Sequence, residues 1–245
     1  YPDLEVKAIV DRAQETWRGA SVSPDWDRYL RRYHLVEVYG GDHAISTAFA
    51  QAGMVVGPVI DLSSSYNLES KRVFCWVLGM CLAGRIWLLV WQPPCTTGSV
   101  AKNPKVQTCE APLGIDLAQA EVVEGNLHFA QSLLLAEAQR QVQHFHAGET
   151  PLSNQLRKTP MWRLGLVRGD VERRFDWCRF DRPYLKPTVL LTNADWLDVI
   201  ELRCVCSGGH IHLEGQRTTD AAAYSAMFGR AIADAAQPHA PELSS

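Results

Sequence analysis

The chain has 245 residues, 47% of them apolar, which suits one large α/β domain with a sizeable core better than two small ones. A formal net charge of −3 excludes a molecule that attracts nucleic acid over its whole surface, so any polyanion needs a local basic patch. The seven cysteines lack the regular spacing of a disulfide framework, and with no signal peptide the expected location is a reducing compartment.

The sequence begins at Tyr1 without a methionine, and the expectation is a domain cut from a longer polyprotein or multidomain protein. Asp3 to Arg18 carries apolar residues at helical spacing, and a second helix starts at Ser23-Pro24-Asp25, where Ser caps and Pro takes the first turn. The pattern then alternates. Leu35 to Tyr39 reads as a strand, Gly40-Gly41 as a tight turn, and Ala44 to Ala52 as a helix stopped by Gly53. Met54 to Ile60 reads as a strand ending at Asp61, Glu69 to Leu82 as a helix, and Arg85 to Trp91 as a strand running into Pro93-Pro94-Cys95. The apolar stretch Val73 to Trp91 is broken by Gly79, Gly84 and Arg85, so it is a helix, a turn and a strand and not a membrane span. Leu117 to Arg140 is a long helix, and Val142 to His146 is a short strand entering Glu149-Thr150-Pro151. Pro151 to Phe175 is less periodic and basic, Thr188 to Thr192 and Ile211 to Leu213 read as strands, and Thr219 to Ala235 reads as an Ala-rich helix. Strands alternating with helices imply a mostly parallel sheet with right-handed crossovers.

Two constellations carry chemistry. The first is the strand–Gly-Gly–helix unit at Glu37 to Ser46, followed about 20 residues later by an acid at the end of the next strand, Asp61. Glycines let the backbone approach a ligand, and such an acid can accept both hydroxyls of a ribose. A two-glycine turn is common in α/β proteins, so this motif alone leaves a cofactor loop and a plain turn both open. The second is Gln92 to Ser99, where two prolines fix a loop that presents Cys95 at the carboxyl end of a buried strand. A thiol there is either a nucleophile for an electron-poor ring carbon or a small buried residue after a proline turn.

Taken together and in order, Val36 to Gly41, Asp61 and Pro93-Pro94-Cys95 resemble the cofactor and nucleophile motifs of the DNA cytosine-5 methyltransferases, and Glu149-Thr150-Pro151 resembles that family's glutamate motif. Cys178 to Thr188, with Leu190 to Asn193, resembles a variant methylase-like subgroup of eukaryotic mobile elements and viruses, and Thr219 to Tyr224 resembles the family's last motif. The resemblance implies a single Rossmann-like α/β S-adenosylmethionine-dependent methyltransferase fold over residues 35–236, with helices on both faces. An N-terminal helical packing segment (1–34) would precede it and a disordered tail (237–245) would follow. It implies S-adenosylmethionine held by Tyr39, Gly40, Gly41, His43, Asp61, Leu62, Asn67 and Pro93. Cys95 would add to C6 of an extruded cytosine and Glu149 would hold its N3 and amino edge, with Arg179, or failing it Arg182, supporting the catalytic loop.

The acceptor so implied is DNA, with RNA open, and the expected location is the nucleus. Lys102, Lys105, Arg157, Lys158, Arg182 and Lys186 are the candidates for holding a phosphate backbone, with Trp162, Phe175 and Trp177 interleaved to stack a base. This sequence departs from the family where His43 replaces a glycine, Gln92 a glycine and Thr150 an asparagine. Only about 25 residues separate Asn193 from Thr219, too few for a target-recognition lobe, so target choice would come from flanking domains or a partner. These departures also fit a rival, a degenerate methylase fold serving as a binding module.

A last group is Cys204-x-Cys206 and His210-x-His212, with Cys178 as a further thiol. These are zinc-type ligands without a usual finger spacing, and the expectation is a strand with two buried thiols and exposed histidines about a Gly208-Gly209 turn, with no metal. His144 and His146 likewise read as one face of a strand and not as ligands.

Overall fold

The computed structural model describes residues 31–99, 102–211, 213 and 223–243. In chain order these form β1 (Tyr33–Val38), α1 (Ala44–Gln51), α2 (Lys71–Leu82), β2 (Ile86–Trp91), α3 (Ala120–Gln141), β3 (Phe145–Pro151), α4 (Pro160–Val167), β4 (Val171–Asp176), β5 (Pro187–Thr192) and α5 (Ala226–Ala236). The local causes are legible. The unbroken apolar run of β2 is buried along its whole length, as a strand covered on both faces must be. Helix α4 opens with Thr159 as cap and Pro160 at its first position, and α5 opens where the Ser225 hydroxyl accepts the N–H of Phe228 at 3.0 Å.

The five strands lie in the order β1-β2-β3-β5-β4, with β1, β2 and β3 parallel and β5 running against both of its neighbours. Alternate residues feed two apolar layers. Leu35, Leu88 and Val90 meet Ile45 and Phe49 of α1 and Phe228 of α5 on one face, while Val36, Leu89 and Trp91 meet α2, α3 and Trp162 of α4 on the other. This is a Rossmann-like α/β fold, a five-stranded sheet in which β5 alone runs against the others, with helices on both sides.

Several expectations are corrected. The strand expected at Met54 to Ile60 is reduced to two bridges, Leu35 with Val56 and Val38 with Ile60, because Gly57-Pro58 interrupts it and a proline cannot donate to a ladder. The strand expected at Val142 starts at Phe145, because Gln143 takes a left-handed φ of 58° in the turn before it. The tail expected to be disordered from 237 instead forms a turn at Gln237–His239. There His239 stacks on Trp196 and the Pro241 carbonyl pairs with the His34 ring at 2.9 Å. The two N-terminal helices, His212 and residues 219–222 of the last motif lie outside the described residues.

Candidate active site

The sheet register assembles the site. Ile60, Val38, Trp91 and Gly148 lie side by side across the sheet. The next residue in each segment is Asp61, Tyr39, Gln92 and Glu149, so the glycine turn, the acid, the proline loop and the glutamate all leave the sheet along one edge. That edge is the carboxyl end of the parallel strands, and β1 with β2 flank the point where the chain reverses its winding, the position where open α/β sheets hold ligands. Lys186 joins them from the other direction, since reversed β5 begins at Pro187 opposite Asp176, the last residue of β4. A cleft of about 890 Å³ opens there, lined among others by Tyr39, Gly40, Gly41, Asp61, Leu62, Asn67, Pro93, Cys95, Glu149, Lys186 and Tyr224.

At one end of the cleft the backbone is curled, with left-handed φ at Tyr39 (58°), Gly41 (46°) and His43 (60°). A Cβ on Gly40 would sit 2.8 Å from Glu37 Cγ and Val59 Cγ1, so only glycine fits. A Cβ on Gly41 would meet nothing within 4 Å, which leaves the turn open to a ligand. Asp61 Oδ1 accepts the Ser63 N–H at 2.8 Å and hydroxyl at 2.7 Å, while Oδ2 faces Gly41 N at 3.5 Å. Although partial burial opposes it, these donors hold the Asp61 carboxyl below its ordinary pKa, so it stays an acceptor. Asn67 is turned into its own loop, its Oδ1 accepting the Glu69 N–H at 2.8 Å. Under the turn, Glu37 accepts both the N–H (3.0 Å) and the hydroxyl (2.7 Å) of Ser46, and burial pushes its carboxyl up to about 7.

At the other end stand Cys95 and Glu149. Burial pushes the Cys95 thiol up, Lys186 draws it back down, and Glu149 opposes that. Burial likewise raises Glu149, against Lys186 and a long 3.5 Å contact from the Tyr224 hydroxyl to Oε2. Glu149 Oε1 is buried with no hydrogen-bond partner among the described residues, and such a group in a cleft is one that a ligand satisfies. The wall beside it is a stack: Tyr224 lies on Trp177 at 5.3 Å, and the Lys186 ammonium sits 5.7 Å over the same indole. Thr150 points away from the cleft. Its hydroxyl accepts from Asn154 at 2.9 Å, and the Asn154 side chain abuts Gly98, whose carbonyl accepts the Gln155 N–H at 2.9 Å. The Cys95 loop is therefore clamped to the chain after β3 through Thr150.

Other expected residues fall elsewhere. His43 occupies the N-cap of α1 and does not line the cleft, and neither does Arg179, on the turn Trp177–Phe180. Arg182 reaches the Ala223 carbonyl at 2.8 Å, next to Tyr224. Lys102 lines the cleft mouth but pairs with Glu121 at 2.7 Å, while Lys105 and Lys158 are exposed and outside it. The basic stretch is largely spent internally: Arg157 pairs with Glu172 at 2.6 Å, Arg168 with Glu137, and Arg173 with Glu201 at 3.2 Å. Trp162, Phe175 and Trp177 are core residues, at most 1% exposed, so none can stack an extruded base on an open face. His146, fully buried, bonds Asp170 at 3.1 Å, and His144 bonds the Ile86 carbonyl at 2.7 Å, so both are structural.

Three features were not predicted. Lys186 was expected on a nucleic-acid face and instead lines the cleft, where it opposes the upward shift that burial imposes on Cys95 and Glu149. Tyr224, expected only within a motif closing over the cofactor, stands 3.5 Å from Glu149 Oε2 and stacks on Trp177. His128, on α3, lines the cleft with its ring 5.3 Å from Tyr39 and its Nε2 3.0 Å from Glu69. Its one sequence signal is a polar residue beside Phe129 in the buried stripe of a long helix.

No family model and no curated protein matches the sequence. Among solved structures the chain is similar to that of the S. pombe Dnmt2 methyltransferase, at 12% identity and a TM-score of 0.37, over 66% of this chain and 49% of that one. The chain thus matches about half the length of that structure. No helix among the described residues is long and apolar enough to cross a membrane.

Proposed function

We propose that this domain transfers a methyl group from S-adenosylmethionine to C5 of cytosine in DNA, with Cys95 as the covalent nucleophile. The observation that carries the reading is the convergence of Cys95 and an orphaned, protonation-prone Glu149 in one cleft with the open Gly41 turn and Asp61.

The residues present fit the cofactor. The Gly40-Gly41 turn offers backbone to an approaching ligand, Asp61 Oδ2 is an acceptor suited to a ribose diol, and Leu62 and Pro93 supply apolar walls. S-Adenosylmethionine, when bound, supplies an electrophilic methyl group. The chain's own residues prepare the acceptor. The Cys95 thiol loses its proton to solvent, helped by Lys186, and the sulfur forms a bond to C6 as the C5–C6 π electrons become a nucleophilic pair conjugated with N3. Glu149, in which burial favours the protonated form, gives its proton to N3 as that charge develops. After methylation the C5 proton leaves to solvent base, the C5=C6 double bond reforms as the Cys95 thiolate leaves C6, and Glu149 recovers its proton from N3. Lys186 stabilises the anionic forms of both groups as the proton moves. The base must leave its stack to reach a site this deep, and flanking domains or a partner select the target, since Arg157, Arg168 and Arg173 of the basic stretch pair internally.

Transfer of labelled methyl from S-adenosylmethionine to cytosine-containing duplex DNA and to RNA tests the reading. We expect product with the wild-type chain and none with Cys95→Ser, and a loss of about 100-fold or more with Glu149→Gln. Methyl transfer that persists in Cys95→Ser contradicts covalent catalysis, and transfer to RNA alone reassigns the acceptor.

A further inference from the structure

Away from the cleft, the structure gathers four metal-type side chains that the sequence scatters over 33 positions. Cys178 Sγ, Cys204 Sγ, Cys206 Sγ and a His210 ring nitrogen all lie within 4.8 Å of one another. The expected strand with two buried thiols does not form. Residues 201–211 contain no helix or strand, Cys204 is half-buried and Cys206 is exposed. Such a segment has almost no apolar burial to hold it, yet its backbone is placed by hydrogen bonds at both ends. The Cys204 N–H reaches Asp176 Oδ2 at 2.7 Å, two residues before Cys178, and the Ile211 N–H reaches the Pro183 carbonyl at 2.8 Å. Between them Gly208 and Gly209 take φ of 138° and 83°, a turn only glycines make easily, and it folds His210 back onto Cys204.

We propose that Cys178, Cys204, Cys206 and His210 form a structural zinc site of three thiolates and one imidazole. The spacing is compatible with a tetrahedral ion. With Zn–S near 2.3 Å and Zn–N near 2.05 Å, a sulfur–nitrogen edge is about 3.6 Å and a sulfur–sulfur edge about 3.8 Å. Cys204 Sγ and His210 Nε2 are 3.5 Å apart, and every other pair falls within 4.8 Å. This donor set selects zinc over the hard cations, and four protein ligands leave no open position, so the site is structural and not catalytic. Binding releases the thiol protons to solvent, with no change in oxidation state. The site would brace the turn Trp177–Phe180 from outside. The inner side of that turn presents Trp177 to Tyr224 and Lys186, so the ion would hold the cleft wall while staying out of the chemistry.

The test is metal content. The chain, produced without a histidine tag and without chelator, should carry one zinc per molecule by elemental analysis. Cobalt(II) added to the stripped chain should give the intense d–d bands of a tetrahedral site and a sulfur-to-cobalt charge-transfer band. Cys204→Ser and His210→Ala should each lose most of the bound zinc, His210→Cys should restore it with four thiolate ligands, and Cys95→Ser should keep it. A folded wild-type chain that stays zinc-free when zinc chloride is supplied overturns the proposal. So does zinc content that is unchanged in Cys204→Ser, or a Cys178 disulfide to Cys204 or Cys206 in the freshly isolated chain. Because zinc is read directly, the outcome does not depend on whether the cleft methylates anything.

Discussion

In the proposed reaction Cys95 and Glu149 are acids needed in opposite states, one ionised and one protonated, and Lys186 acts on the charge of both. Burial raises both, and the ammonium of Lys186 opposes both shifts. The pair titrates as a unit, so a profile of kcat/KM against pH should be a bell whose acid limb lies above the ordinary carboxylate range and whose alkaline limb lies above the ordinary thiol range. Replacing Lys186 with Met removes the opposing charge, and both limbs should move further alkaline, with a fall of about tenfold or more at neutral pH. A Lys186→Met profile with unmoved limbs would show that Lys186 does not act on these groups. Asp61 belongs to the same scale. If its Oδ2 takes a ribose hydroxyl, Asp61→Ala should weaken S-adenosylmethionine binding by about 10- to 100-fold in calorimetry, the worth of one or two hydrogen bonds to a charged group. Unchanged affinity would move the cofactor elsewhere.

At the scale of elements, the site depends on how closely β2 and β3 approach. A Cβ on Gly148 would fall inside the indole of Trp91, and Gly148 is the residue that delivers Glu149 to the cleft. Gly148→Ala should therefore destabilise the chain by about 1–3 kcal/mol in urea unfolding and lower activity, while Gly98, jammed against Asn154, predicts a similar effect on the Cys95 loop. A Gly148→Ala chain as stable as wild type would contradict this packing. The elements themselves were largely readable because the signals are local: apolar runs bounded by glycine give β1, β2, α1 and α2 within a few residues. The end of the cleft formed by Tyr39, Gly40, Gly41 and Asp61 was readable because it lies in contiguous turns directly after those strands. Lys186 and Tyr224 were not, since their roles follow from the reversal of β5 and from the stack on Trp177, both long-range facts. The arginines were misread for a related reason. A charge run does not announce that its partners, Glu137 and Glu201, lie some 30 residues away. The cysteines show the same limit, since Cys178 reaches Cys204 only through the antiparallel β4–β5 pair and the irregular segment after it.

At the scale of the whole molecule, Glu37 sets a pH dependence of stability. Its carboxyl is held near 7 in the fold, above its ordinary value of 4.5, so between those values the native state keeps a proton that the unfolded chain has lost. Stability therefore falls as pH rises through this window, by up to about 3 kcal/mol once Glu37 is charged. Glu37→Gln can still accept from Ser46, and its Tm should exceed that of wild type by several degrees at pH 8 and match it near pH 4. A constant difference across that range would contradict the burial argument. The charge distribution makes a second whole-molecule prediction. With so many arginines paired internally, DNA binding by this chain should be shallow in its salt dependence, with a slope of log K on log salt no steeper than about −3. A slope near −6 would mean that the pairs open to engage phosphates.

The measurement that tests the central claim most directly is a trap. The chain is incubated with S-adenosylmethionine and duplex DNA containing 5-fluorocytosine, whose C5 fluorine cannot leave as a proton does, so the thiol stays bonded to C6 after methylation. We predict a denaturant-stable protein–DNA adduct, mapped by mass spectrometry to Cys95 and absent in Cys95→Ser. An adduct at another cysteine, or none at all from a chain that binds both S-adenosylmethionine and the DNA, would contradict covalent catalysis at this cleft.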